Sequence, residues 1–136
     1  MYMNFTFGHV CFFVQDKEKM ADFYCNKLGL KKMFEQEFPG SPYSAIYVRI
    51  AKGQFLELIG NMPHEEKSRS GFGHLCLHTD NIHEVHKELS EKGLAVTDVE
   101  MGAAKCLKFY VDDPEGNTIE MMQLLEDSLQ TIHDHD

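Results

Sequence analysis

The sequence predicts an α+β protein built from two tandem βαβββ modules, and three observations predict it. The phrase Gly8-His9-Val10-Cys11 returns as Gly73-His74-Leu75-Cys76. Each copy is followed by a glutamate inside a strand-like run, Phe55-Leu56-Glu57-Leu58-Ile59 and Thr118-Ile119-Glu120-Met121-Met122. The histidines stand 65 positions apart and the glutamates 63. Between each histidine and its glutamate the hydrophobic period changes in the same order, from alternation to a helical stripe and back to alternation.

The elements follow in turn. Residues 7–14 alternate as a first strand. A helix starts at Asp16, whose carboxylate can accept a bond from the free N–H groups of the first turn. Met20, Phe23, Tyr24 and Leu28 form its apolar stripe, and Gly29 stands where a left-handed stop is expected. Strands follow at 31–37, 44–50 and 54–59. In the second module 74–78 is a strand, and Asp80 is the expected cap of a helix carrying Ile82, Val85 and Leu89. Gly93 ends that helix, 64 positions after Gly29. Strands follow near 95–100, 106–111 and 118–124. The last two are joined by Asp112-Asp113-Pro114-Glu115-Gly116-Asn117, where Pro presets one dihedral and Gly accepts a positive one. Residues 60–72 contain Pro63 and a run of charged and serine side chains, and read as the linker. One domain, 1–136, therefore holds modules at about 5–60 and 72–125. The acidic tail from Glu126, with His133 and His135, is expected to fray.

Composition narrows the function. Hydrophobic residues make up 43% of 136, enough for a packed core. A net charge of −9 with no basic stripe argues against nucleic acid. No apolar run approaches the roughly 18 residues of a membrane span, and no basic-then-apolar start suggests a signal peptide. Cys11, Cys25, Cys76 and Cys106 form no CxxC pair. They read as reduced thiols of a cytoplasmic protein.

Alternation along strands places the chemistry. His9, Cys11 and Phe13 share one face, opposed by Val10, Phe12 and Val14. His74, Cys76 and His78 oppose Leu75 and Leu77, while Glu57 and Glu120 oppose wholly apolar neighbours. Each apolar face can pack under a helix, and each mixed face can line a site. One inward histidine is ordinarily a satisfied core residue. Two matched His–Glu pairs are a different matter, because an unpaired buried carboxylate costs several kcal/mol. His9, Glu57, His74 and Glu120 are therefore candidate ligands of a divalent metal ion. Ni²⁺ or Zn²⁺ comes first, with Co²⁺, Fe²⁺ or Mn²⁺ also accommodated by imidazole and carboxylate donors.

The same residues carry a family resemblance. From Gly8-His9, through Phe23-Tyr24 and Lys27-Leu28-Gly29-Leu30, to Asp113-Pro114-Glu115-Gly116-Asn117 and Glu120, the chain resembles the vicinal-oxygen-chelate superfamily. It is similar to the short glyoxalase I-like members, the lactoylglutathione lyase family. The resemblance implies paired modules forming a cup-shaped, eight-stranded mixed sheet, in a homodimer whose sites in many members draw ligands from both chains. It implies metal-assisted isomerisation of a 2-oxoaldehyde–thiol hemithioacetal through an enediolate. Glu120 matches the catalytic base of the family, and Glu57 is a candidate second base. Asn61 matches a glutathione contact. Phe13 stands where glutathione-using members carry an arginine, so the identity of the thiol is open.

Other residues are read directly. Arg49, on the strand before Glu57, can hold a substrate carboxylate or be a solvated strand arginine. His78 lies roughly 13 Å along its strand from His74, too far to share an ion but able to touch substrate. His83 and His86 read as a solvated helix face, Cys11 and Cys76 as small inward residues, and Lys105 and Lys108 as sheet-edge decoration. Because one scaffold serves many chemistries, two alternatives stand beside the lyase. One is another metal enzyme of the superfamily, an epimerase or an extradiol dioxygenase. The other is a non-catalytic binder of a drug or metabolite.

Overall fold

The computed structural model describes residues 7, 9–63, 72 and 74–133, so Gly8, Gly73, most of the predicted linker and the end of the tail with His135 lie outside the described residues. The chain divides into two compact units, Met1–Ser68 and Arg69–Asp136. Each holds a four-stranded mixed sheet with a helix packed on it.

In the first unit β1 (His9–Phe13) is followed by α1 (Lys17–Asp22), β2 (Lys31–Glu37), β3 (Ser44–Ala51) and β4 (Gln54–Gly60), in the sheet order β1-β4-β3-β2. β1 runs parallel to β4, which is antiparallel to β3. Asp16 caps α1 as expected, accepting from the Lys19 N–H at 3.0 Å. After Asp22 the helix widens, the Leu28 N–H donating to the Phe23 carbonyl at 3.0 Å, before Gly29 turns the chain at φ 76°. That positive φ is cheap for glycine alone, and Gly93 repeats it at 84°. Met20, Phe23 and Tyr24 are buried, as are Ile46, Val48, Leu56 and Leu58 on the strands that α1 covers.

Close packing is tightest at Gly60. A Cβ there would meet the Val14 carbonyl oxygen at 2.9 Å and the Val14 Cγ2 at 3.0 Å. Gly60→Ala is accordingly expected to cost about 1–3 kcal/mol by overpacking, read as a lowered midpoint in denaturant unfolding.

In the second unit β5 (Leu75–His78), α2 (Ile82–Glu91), β6 (Glu100–Met101), β7 (Leu107–Asp112) and β8 (Thr118–Gln123) give the order β5-β8-β7-β6. β5 is parallel to β8, as β1 is to β4. Phe109, Val111, Ile119 and Met121 are buried, and α2, which packs on β7 and β8, buries Ile82 and Leu89.

Three local expectations are corrected. The strand near 95–100 shrinks to the two residues of β6 and an isolated bridge between Val96 and Val111. The cap of α2 is not Asp80. Asn81 holds the cap position, but its side-chain amide donates to Glu84 at 2.9 Å, and the first helical N–H, that of Ile82, donates to Gln123 Oε1 at 2.9 Å. The first unit has the same device, since the Lys17 N–H donates to Asn61 Oδ1 at 2.7 Å. Finally, the tail carries a short helix, α3 (Leu129–His133). Ser128 is fully buried, its hydroxyl donating to the Lys105 carbonyl at 2.6 Å, and the Leu129 N–H donates to the Ala104 carbonyl at 2.9 Å. These bonds satisfy backbone groups that would otherwise be stranded. Among the described residues no helix is long and apolar enough to cross a membrane.

Candidate metal centre

Strand register sets the candidate residues in rows. Partners on adjacent strands point to the same face, so His9, Phe55 and Arg49 form one row of the first sheet, and Cys11, Glu57 and Tyr47 the next on that face. The second sheet repeats the latter row as Cys76, Glu120 and Tyr110. The opposite faces carry α1 and α2, and the glutamates emerge on the sides away from those two helices.

Both carboxylates are nearly enclosed, Glu57 at 9% exposure and Glu120 at 6%. The Tyr47 hydroxyl donates to Glu57 Oε2. In the second unit His74 Nε2 lies 3.8 Å from Glu120 Oε1, and the imidazole is half exposed. His9 is exposed at the start of β1, its ring 6.2 Å from that of Tyr47 in an edge-on arrangement. The Tyr47 ring is itself stacked on Phe34 at 4.4 Å and meets Phe55 edge-on at 6.3 Å.

Each glutamate also has a thiol beside it. Burial, the hydrogen bond to Glu57 and its charge push the Cys11 thiol up to about 11. Burial and the charge of Glu120 push the Cys76 thiol up to about 11 as well. Both are protonated near neutrality and are poor nucleophiles. The bond to Glu57 pushes the Tyr47 phenol up to about 12, so it remains a donor at ordinary pH. All four cysteines are free.

The remaining predicted residues are dispersed. Phe13 is 69% exposed in the row of Ile59. Arg49 is half-buried on the site face of β3. Asn61 lies past the end of β4, its carbonyl oxygen engaged by the start of α1. His78, exposed at the end of β5, lines a recess with Thr79, Asp80, Gln123 and Leu124, away from the glutamate row. Lys108 is no edge ornament. It sits inside the sheet on the face of Glu120, and its Nζ donates to the Tyr110 hydroxyl at 3.1 Å. That bond and the phenol charge hold its pKa up. His86 is not merely solvated either, since its ring meets Phe109 edge-on at 5.0 Å and Nε2 pairs with the Thr97 carbonyl at 2.9 Å.

Sequence reading missed the two tyrosines, although their signal was present. Tyr47 and Tyr110 are 63 positions apart, the spacing of the glutamates, and each stands ten residues before its glutamate.

Among the described residues no three His, Cys, Asp or Glu side chains gather into a metal-holding group. Each unit offers one imidazole and one buried carboxylate. These are donors suited to a borderline divalent cation.

Comparison with known proteins gives a consistent result. Residues 6–121 match the family model described as the Glyoxalase/Bleomycin resistance protein/Dioxygenase superfamily. Over 122 residues the chain is 28% identical to a probable lactoylglutathione lyase of Synechocystis sp., covering 85% of this chain and 92% of that one. Over 122 residues it is 30% identical to the lactoylglutathione lyase of Salmonella typhimurium, covering 85% and 90%. A solved member of the superfamily from Sphaerobacter thermophilus superposes with a TM-score of 0.70 at 27% identity, covering 90% of this chain and all of that one.

Proposed function

The chain belongs to the Glyoxalase/Bleomycin resistance protein/Dioxygenase superfamily, and from that premise we propose that it is a metal-dependent, glyoxalase I-like lyase. Its substrate is the hemithioacetal of a 2-oxoaldehyde and a small thiol, isomerised through an enediolate to a hydroxy thioester. The observation that carries this reading is the matched pair of buried glutamates, each on the face of its sheet opposite α1 or α2, with a histidine on the parallel neighbouring strand or just before it. The lactoylglutathione lyase relatives supply the reaction class.

His9, Glu57, His74 and Glu120 are the residues that would hold one divalent cation, the two carboxylates balancing its charge. When bound, the ion supplies Lewis-acid polarisation of the carbonyl oxygen and a template for the substrate. Glu120 takes the proton from the carbon bearing sulfur and returns it to the neighbouring carbon, so the atoms balance without a redox partner. Glu57 would be the second carboxylate ligand of that ion. Phe13, Phe55 and Phe34 give the first sheet an apolar site face that limits water, and Arg49 is the cation on that face for a substrate carboxylate. Asn61 and His78 are the remaining candidate substrate contacts. The free cysteines and the family resemblance support a cytoplasmic homodimer.

The test is elemental analysis with a thiol panel. Freshly purified protein is expected to carry about one divalent ion per chain, Ni²⁺ or Zn²⁺ foremost, and to isomerise methylglyoxal in the presence of at least one low-molecular-weight thiol. Metal-loaded protein that is inert with every thiol overturns the reading.

A further inference from the structure

Glu57 and Glu120 occupy equivalent places, yet their tyrosines are engaged differently. Tyr47 donates to Glu57 Oε2, and its ring is clamped between Phe34 and Phe55. Tyr110 sits at the same place beside Glu120 in register, but its hydroxyl accepts from Lys108 Nζ at 3.1 Å, with the ammonium 5.3 Å from the ring centroid. Among the described residues no hydrogen bond joins Tyr110 to Glu120. The polar neighbours of Glu120 include His74, the Cys76 thiol and, through its charge, Lys108.

We propose that Tyr47 is a positioning residue that fixes Glu57 as the static carboxylate of the centre, leaving proton transfer to Glu120 alone. This deepens the reading above and rests on it. A hydrogen bond from a neutral hydroxyl to a carboxylate is charge-assisted and roughly twice as strong as a neutral one. A phenol whose ring is already packed gives that bond a fixed direction. A ligand held in this way keeps one oxygen committed and the other aimed, as outer-shell partners of metal ligands do. Among the described residues no phenol donates to Glu120; the Tyr110 hydroxyl lies against Lys108, from which it accepts. A carboxylate that must meet a carbon-bound proton and carry it to the next carbon needs the freedom that Glu57 lacks. The duplication produced two equal glutamates, and the partners of the two tyrosines make them unequal.

The experiment measures Zn²⁺ affinity by competition with a chromophoric chelator. It compares the unaltered protein with Tyr47→Phe, Tyr110→Phe, Glu57→Gln and the double variant Tyr47→Phe/Glu57→Gln, and records the melting temperature of each metal-free form. Phenylalanine keeps the ring packing, so the metal-free melting temperature of Tyr47→Phe is expected to hold. Its Zn²⁺ dissociation constant is expected to rise about tenfold, while Tyr110→Phe leaves the constant unchanged. In the Glu57→Gln background the loss of the phenol is expected to add nothing, since Tyr47 acts through Glu57. Equal weakening by the two tyrosine variants overturns the proposal, as does a full additional loss in the double variant. A lowered melting temperature with unchanged Zn²⁺ affinity shows a purely structural role and overturns it too. If Glu57→Gln itself binds Zn²⁺ as tightly as the unaltered protein, the ligand assignment has failed instead, and that result is distinct from the others.

Discussion

Glu120→Gln is expected to lower turnover of the methylglyoxal–thiol adduct by about 10²–10⁴-fold, the range that a positioned general base contributes. Glutamine keeps the shape of the side chain and a carbonyl oxygen but has no basic site. The substitution lies on β8 between Ile119, fully buried, and Met121, 5% exposed, so the packing that places it is untouched. Because Glu120 is also a proposed ligand, the assay is run at saturating metal, and metal content is measured on the same sample. Glu57→Gln under those conditions is expected to recover more of its turnover, because its proposed role is to hold and not to transfer. Turnover in metal-saturated Glu120→Gln equal to the unaltered protein would place the base elsewhere.

The largest expected loss of stability comes from Leu56→Ala. Leu56 is fully buried, is paired with Val10 on β1 and Val48 on β3, and lies on the face of β4 that α1 covers. Removing its branched end forfeits the transfer free energy and leaves a cavity, at a cost of about 2–5 kcal/mol. That is a large share of the roughly 5–15 kcal/mol by which ordinary domains are stable. Equilibrium unfolding in urea reads the loss directly, and a change below about 1 kcal/mol would show that the site collapses around the gap. The neighbouring residue is Glu57, so this variant also tests how far the carboxylate depends on the core behind it.

Much of this architecture was legible because a strand has a period of two. With the apolar residues at 10, 12, 56 and 58 on the strand face that packs under a helix, His9 and Glu57 have to emerge on the other face, and 119 and 121 do the same for Glu120. The stop at Gly29 was legible because one residue type tolerates its conformation. What escaped depended on partners distant in sequence. Asp80 had the right chemistry for a cap, yet the bond to the start of α2 comes from Gln123, 41 residues on, and local pattern does not report such a partner. The tail was read as loose because its composition is polar, whereas buried Ser128 ties it to the segment before β7. Tyr47 passed as one aromatic strand residue among many. Its hydroxyl acquires meaning only when register sets it beside Glu57.

The amide bonds at the two helix starts have a mechanical consequence. Asn61 and Gln123 leave the chain just past the glutamates, at or beyond the ends of β4 and β8, and each grips the first N–H of the helix on the far side of its sheet. A shift of either glutamate strand is therefore passed through the sheet to the first turn of a helix, half-buried at Lys17 and fully buried at Ile82. Each half thus couples its glutamate strand to the helix behind it. Asn61 is tied twice, since its amide nitrogen also donates to Glu18 Oε2 at 3.4 Å, so drawing it away would loosen the first turn of α1 at two points.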